Sequence, residues 1–340
     1  MIDWSESYVL VTGGAGFIGG LVVEHLLKRG AIVDVIDDMS VGSLSTVPSG
    51  VRKVYTAEVN EESIKELNTD YDMVFHFAAP CTVLMFDDDP IKLYMNAITS
   101  AYYIRKFCSD SKIPYLVYAS SATYYGNKAG RWHENEPLKR NLTFMENMKP
   151  TPANIYGATK TAEEDLDTLF SNVRTCALRM FPAYGPREYL KGDVASIQYK
   201  MLESIINDEP VEIWGDGDQL RDYIYQEDLA YVIITLAERL KTGAFNIGTG
   251  LEHSHNDLWM MSNKICKELE YIDKYKEPKY VENPYEDSYL RSLRSDISKL
   301  EREIGTIPFT PMHIGIKKTA DAIYEKGILE NRLGSLGYLE

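Results

Sequence analysis

The chain has 340 residues, 44% of them apolar and 26% charged, with a net charge of −15. That size and composition support a large core with room for two lobes, and the acidic balance argues against general binding to nucleic acid or an anionic membrane. No apolar run approaches the ~20 residues needed to cross a bilayer, and the opening MIDWSESYVLVTGG lacks the basic region and cleavage site of a signal peptide.

In chain order, Tyr8–Thr12, Ile32–Asp37, Val51–Val59, Met73–Phe77, Tyr115–Ser120 and Thr175–Met180 read as strands. Phe17–Arg29, Pro90–Ser109 and Asn154–Phe170 read as helices, with Gly30 as a C-terminal stop. Near-continuous apolar strands alternating with helices predict a parallel sheet covered on both faces. After Met180 the pattern loosens, with turn signals at Phe181–Arg187 and Gly215–Asp218. Helices are expected at Ala195–Asn207, Glu227–Leu240 and Asn256–Glu270. The four cysteines (Cys81, Cys108, Cys176 and Cys266) form no CxxC pair, which fits free thiols in a reducing cytosol and a cytoplasmic protein.

Thr12–Gly20 reads TGGAGFIGG between an apolar strand and an amphipathic helix. Gly13 permits a tight turn, Gly16 lets a pyrophosphate approach the backbone, and Gly19 lets helix and strand pack closely. The helix start, with Phe17 and Ile18, offers free amides and a favourable dipole to the phosphates. Asp37 ends the second strand, where a carboxylate binds both ribose hydroxyls of NAD and repels the 2′-phosphate of NADP. Asp38 is the alternative contact. The expected fold is therefore α/β, a Rossmann-type doubly wound parallel sheet with a smaller C-terminal substrate-binding lobe. Residues 1–180 form the NAD-binding part, and 181–340 form mainly the substrate lobe with some segments returning.

Tyr156 and Lys160 share one helical face in IYGATKTAEEDL. A free tyrosine titrates near ~10, and lowering that by three units takes about 4 kcal/mol. A nearby ammonium and the positive nicotinamide ring could supply it. YxxxK also occurs at Tyr102/Lys106, Tyr124/Lys128 and Tyr275/Lys279, which read as chance matches. Tyr156 is singled out by the preceding YLVYASSATYYG, an apolar strand ending in hydroxyls that brings Ser121 to the sheet's carboxyl edge. A turn role is the alternative for Ser120 or Ser121.

Together TGGAGFIGG, SSATYYG and YGATK resemble the extended short-chain dehydrogenases/reductases, and most closely the UDP-galactose 4-epimerases. HFAAP (His76–Pro80), Asn96, RMFPAYGPRE (Arg179–Glu188), WGDGDQLRDYIYQEDLA (Trp214–Ala230), FNIGTG (Phe245–Gly250) and RSDISKLEREIG (Arg294–Gly305) extend the resemblance over most of the chain. It implies Tyr156 as acid/base, Lys160 as the group that binds the nicotinamide ribose and tunes Tyr156, and Ser121 as the group that orients the reacting oxygen. The candidate cofactor contacts it implies are Gly13, Gly16, Phe17, Ile18, Gly19, Asp37, Asp38, Ser40, Gly42, Glu58, Val59, Phe77, Ala78, Ala79, Asn96, Tyr156, Lys160 and Phe181. Candidate substrate contacts are Ser121, Thr123, Tyr156, Arg187, Arg221 and Arg291, with Arg294 as a substitute for Arg291. The substrate is a nucleotide-diphosphate sugar, and Arg221 is the expected phosphate ligand.

The departures are Pro182 where the family usually has Asn, and Pro80 and Cys81 beside the cofactor. Ala122 and Thr123 stand where related dehydratases and decarboxylases carry an additional acid, which disfavours elimination of water. The resulting expectation is a 4-epimerase working through a transient 4-keto sugar. The alternatives are a 4-dehydrogenase or ketoreductase with exchanging cofactor, and a non-catalytic NAD-binding regulator. A homodimer through Pro90–Ser109 and Asn154–Phe170 is implied by resemblance. The pocket shape depends on the Glu134–Pro152 loop. His253 and His255 (HSH) read as flanking a capping box of Ser254 and Asp257, with no metal expected.

Overall fold

The computed structural model describes residues 2–87, 89–126, 143–284 and 290–335, with side chains as far as residue 327. The part of the Glu134–Pro152 loop up to residue 142 therefore lies outside the described residues, as does Lys128. The first half contains β1 (Tyr8–Thr12), α1 (Phe17–Lys28), β2 (Ile32–Asp37), β3 (Lys53–Thr56), β4 (Met73–His76), α2 (Pro90–Asp110), β5 (Tyr115–Ser121), α3 (Ile155–Asp165) and β6 (Arg174–Met180). It is followed by α4 (Ile197–Ile206), α5 (Gln226–Glu238), β7 (Gly243–Ile247), α6 (His255–Glu268), α7 (Ser298–Ile304) and α8 (Met312–Ser335).

The seven strands are parallel, in the order β7-β6-β5-β4-β1-β2-β3. The order reverses between β1 and β4, where the connections leave in opposite directions and open a crevice at the carboxyl edge. Side chains alternate across the sheet with a period of two. Val9, Val11, Val33 and Val35 pack with Val22 and Leu26 of α1 and with Leu229 and Ile233 of α5. Leu10, Ile36 and Val74 face the other way, towards Ile104 and Phe107 of α2. Burying each such side chain contributes roughly 1.5–3 kcal/mol.

The predicted strand Val51–Val59 shrinks to Lys53–Thr56. It is the sheet's edge, has one neighbour, and is at most half-buried, so fewer residues gain by pairing. The predicted helix Asn154–Phe170 stops as an α-helix at Asp165 and continues as one tight turn, Leu166–Thr168. Asn154 caps its start by accepting from Gly157 N–H at 2.9 Å.

A second core joins α4, α6 and α8 around Leu202, Ile205, Leu258, Ile265 and Ile316. Helices α5 and α7 and strand β7 instead complete the sheet layer. β7 pairs with β6, and Leu300 and Ile304 of α7 sit in the sheet's core. No helix among the described residues is long and apolar enough to cross a membrane.

The contact between α1 and β1 has no slack. A Cβ on Gly19 would lie 2.1 Å from the Gly13 carbonyl oxygen. Gly19→Val should therefore push α1 off the turn, destabilising the protein by about 3 kcal/mol or more. A lowered denaturant midpoint together with lost dinucleotide binding is the expected result, and a wild-type midpoint would contradict it.

Candidate active site

A cavity of about 630 Å³ runs along the carboxyl edge of the sheet, from the glycine turn to Arg221. At one end Gly13 has φ +71°, and a Cβ there would meet the Phe77 carbonyl carbon at 2.7 Å. The α1 N-cap is Gly16, which supplies no side-chain acceptor. The first amides of the helix, at Phe17 and Ile18, therefore keep their donors for a ligand. The shape and the donors both fit a dinucleotide's pyrophosphate.

Asp37 is buried at the end of β2. Its two oxygens accept from Ala15 N–H (2.9 Å) and Met39 N–H (2.8 Å). Burial pushes its carboxyl up, the two amides pull it down, and Asp38 adds to the rise, which is the net direction. Asp38 is exposed and accepts from the Ser40 N–H and hydroxyl. Both acids, with Ser40, Gly42, Glu58, Val59, Phe77, Ala78, Ala79 and Asn96, line the cavity.

The strip after β4 is held in place from below. Thr12 Oγ1 accepts from Ala78 N–H (3.0 Å), so its proton points to His76 Nδ1 (2.7 Å). The other ring nitrogen then donates to Ser100 Oγ (3.3 Å), which donates to Ala78 O (3.2 Å). Burial, with Arg105 and Lys160 nearby, depresses His76 to about 3, so the ring is neutral.

Ser121, Tyr156 and Lys160 meet on the cavity floor. Ser121 ends β5 beside the Tyr156 phenol, and its hydroxyl accepts from Thr123 N–H at 3.2 Å. Burial holds the phenol well above its ordinary value. The Ser121 hydroxyl opposes that shift, while Cys81 and Glu163 add to it. Lys160 Nζ lies 5.8 Å from the Tyr156 ring centroid, and Phe86 packs against the ring at 5.8 Å. Ser120 takes the structural role, donating to Glu164 Oε1 at 2.6 Å. Glu164 in turn pairs with Arg179 at 2.7 Å. Of the other YxxxK pairs, Tyr102 and Tyr275 are exposed.

At the far end, Arg221 is buried on the strand Leu220–Asp222 and faces the cavity with Trp214, Tyr223 and His255. The neighbouring Asp222 is fully buried. Its carboxylate accepts from Thr249 N–H (2.8 Å), Thr249 hydroxyl (2.7 Å), Gly250 N–H (2.9 Å), Ser295 N–H (3.0 Å) and the Ser295 hydroxyl. That knot fixes the strand presenting Arg221. The capping box of Ser254 and Asp257 forms as read from the sequence.

Arg187 and Arg291, with Arg294 as the alternative to Arg291, were expected near the substrate, and all three lie outside the cavity lining. Arg187 binds Glu24 Oε1 (2.6 Å) and Thr46 O (2.8 Å) and packs over Gly20. Arg291 makes a forked pair with Asp216 (2.9 and 2.7 Å), and Arg294 donates to Gly250 O. Each finds an acceptor distant in sequence, which no local pattern reveals. Phe181 and Thr123 do line the cavity, and the buried Thr123 hydroxyl has no partner among the described residues.

Sequence reasoning overlooked Lys191 and Lys200, which also line the cavity. Burial lowers the Lys191 ammonium, but Glu188, at 2.7 Å, and Cys81 more than compensate and leave it raised. Nothing local marks KGDVASIQYK as part of a pocket. His255 was legible only as half of HSH, although it is buried with burial and Arg221 depressing it to about 3.

A glycine turn at a reversal point, with an acid closing β2 and a Ser/Tyr/Lys floor, defines a nicotinamide-dinucleotide enzyme of the short-chain dehydrogenase/reductase type. The profile of the NAD dependent epimerase/dehydratase family matches residues 9–248, and the chain belongs to that family. It is an NAD-dependent enzyme of the extended short-chain type. It is 30% identical over 339 residues to an ADP-L-glycero-D-manno-heptose-6-epimerase of Brachyspira hyodysenteriae, covering 94% of this chain and 98% of that one. The UDP-glucose 4-epimerase of Thermotoga maritima, solved with UDP-glucose, superposes with a TM-score of 0.81 at 26% identity, covering 95% and 99% of the two chains. That of Thermus thermophilus, solved with NAD, gives 0.79 at 27% identity, covering 93% and 98%.

Proposed function

We propose that the protein is a sugar-nucleotide 4-epimerase. The observation that carries this reading is the placement of Ser121, Tyr156 and Lys160 on the floor of one cavity, with the glycine turn at one end and Arg221 at the other. NAD, when bound, accepts the hydride and returns it. Arg221 holds the substrate's diphosphate, with Lys191 and Lys200 adding positive charge to the pocket. Ser121 holds the sugar C4 oxygen, and Tyr156 takes its proton as the C4–H bond breaks. The 4-keto sugar turns, exposes its other face, and receives its proton back from Tyr156. Asp37 takes the ribose hydroxyls and selects NAD over NADP. Ala122 and Thr123 offer no acid for loss of water from C5–C6. The exposed Ile91, Met95 and Tyr102 of α2 give a cytoplasmic homodimer a face to close on.

The test is incubation with UDP-, dTDP-, GDP- and ADP-sugars, with NMR of the sugar and absorbance at the NADH band. A C4-inverted product without net NADH is expected. Inversion at C6 of an ADP-heptose would overturn the assigned carbon. Stoichiometric NADH would make the enzyme a dehydrogenase, and no turnover would remove the substrate reading.

A further inference from the structure

Lys160 is 2% exposed, and its ammonium has three protons to donate. All three have acceptors: Glu163 Oε2 at 2.9 Å, Glu163 Oε1 at 3.1 Å and Ala119 O at 3.3 Å. None is left for a ribose or for Tyr156. Glu163 is itself 2% exposed, one helical turn along α3. A carboxylate so placed is costly unless paired, and here it is paired with the ammonium that the chemistry needs.

We propose that Glu163 is a positioning residue that holds Lys160 back, neutralises its charge beside Tyr156, and so governs both cofactor affinity and the pH at which Tyr156 serves as base. The proposal rests on the reading of Tyr156 and Lys160 as the reacting pair.

Several charged or titratable groups surround this pair. Arg105 on α2 is fully buried, paired with Asp167 at 2.8 Å, and acts on Glu163 from behind. His76 at the end of β4 is neutral, and Cys81 in the following segment faces Tyr156. Glu164 is occupied by Arg179, and the Tyr118 hydroxyl on β5 by Asp167 (2.8 Å). Among the described residues, Glu163 is therefore the negative charge within reach of Lys160 that can be removed without breaking another pair.

Binding of the ribose must compete with Glu163 for the ammonium, which lowers apparent affinity in proportion to the time Lys160 spends retracted. Glu163→Gln keeps the shape and one acceptor but removes the charge. The expected results are NAD binding tighter by about threefold or more in calorimetry, and an acid limb of the kcat/KM–pH profile displaced to lower pH by about half a unit or more. A tyrosinate absorbance titration of the cofactor-free protein, read against Tyr156→Phe, should move the same way. Glu163→Met should repeat the pH displacement without the remaining hydrogen bond.

Unchanged NAD affinity together with an unchanged titration in a folded Glu163→Gln protein would overturn the proposal. So would loss of the fold in both variants, since Glu163 would then serve packing alone. Tyr156→Phe with full activity would instead remove the underlying assignment, and is recognised separately because the binding and absorbance measurements need no turnover.

Discussion

Tyr156→Phe should lower kcat by about a thousandfold, within the 10²–10⁴ range that a positioned acid/base supplies. NAD affinity should stay within about threefold of wild type, since the variant leaves Lys160 and the glycine turn untouched. Removing the phenol oxygen beside Ser121 takes away a single atom and leaves the Ser121 hydroxyl to face a ligand. The ring remains packed against Phe86. Sugar-product NMR for turnover and calorimetry for NAD separate the two effects. A variant that turns over at more than about a tenth of the wild-type rate would remove Tyr156 as the acid/base.

The second large effect concerns Asp222, far from the reacting carbon. Asp222→Ala should cost about 4 kcal/mol of stability. Its carboxylate takes the Thr249, Gly250 and Ser295 amides together; alanine removes that acceptor from the half-buried Thr249 amide and the buried Ser295 amide, and leaves Gly250 N–H to the Ser295 hydroxyl at 3.2 Å. The adjacent Arg221 then loses its fixed strand, so KM for the sugar nucleotide should rise more than kcat falls. A urea midpoint and a KM both at wild-type values would contradict this account.

The sequence made the sheet's first half legible because its signals are local. The strand, glycine turn, helix and acid fall within thirty residues, and β1 and β2 fall on the predicted residues. Ser121 and Tyr156 were legible from the strand and helix that carry them. The attachments of Arg187 and Arg291 were not, since Glu24 and Asp216 are 163 and 75 residues away along the chain. Nothing local marks Glu163 among the charged positions of KTAEED. Only the packing of α3 against β5 and α2 shows that it is buried. The same limit hid the place of the strand Gly243–Ile247, which overlaps the FNIGTG motif at Phe245–Gly250 and carries no local sign of which edge it extends.

That placement bears on how the protein is made. β6 emerges from the ribosome more than sixty residues before β7, its partner on that side. Throughout that interval the nascent sheet presents an unpaired edge, and its apolar face still awaits Leu229, Ile233 and Leu236 of α5. The intervening residues 181–225 cannot shield it, because their apolar side chains belong mainly to the other core, whose helices α6 and α8 come later still. Synthesis therefore passes through a stage in which both cores are open at once. During that stage a bare strand edge invites pairing between neighbouring nascent chains.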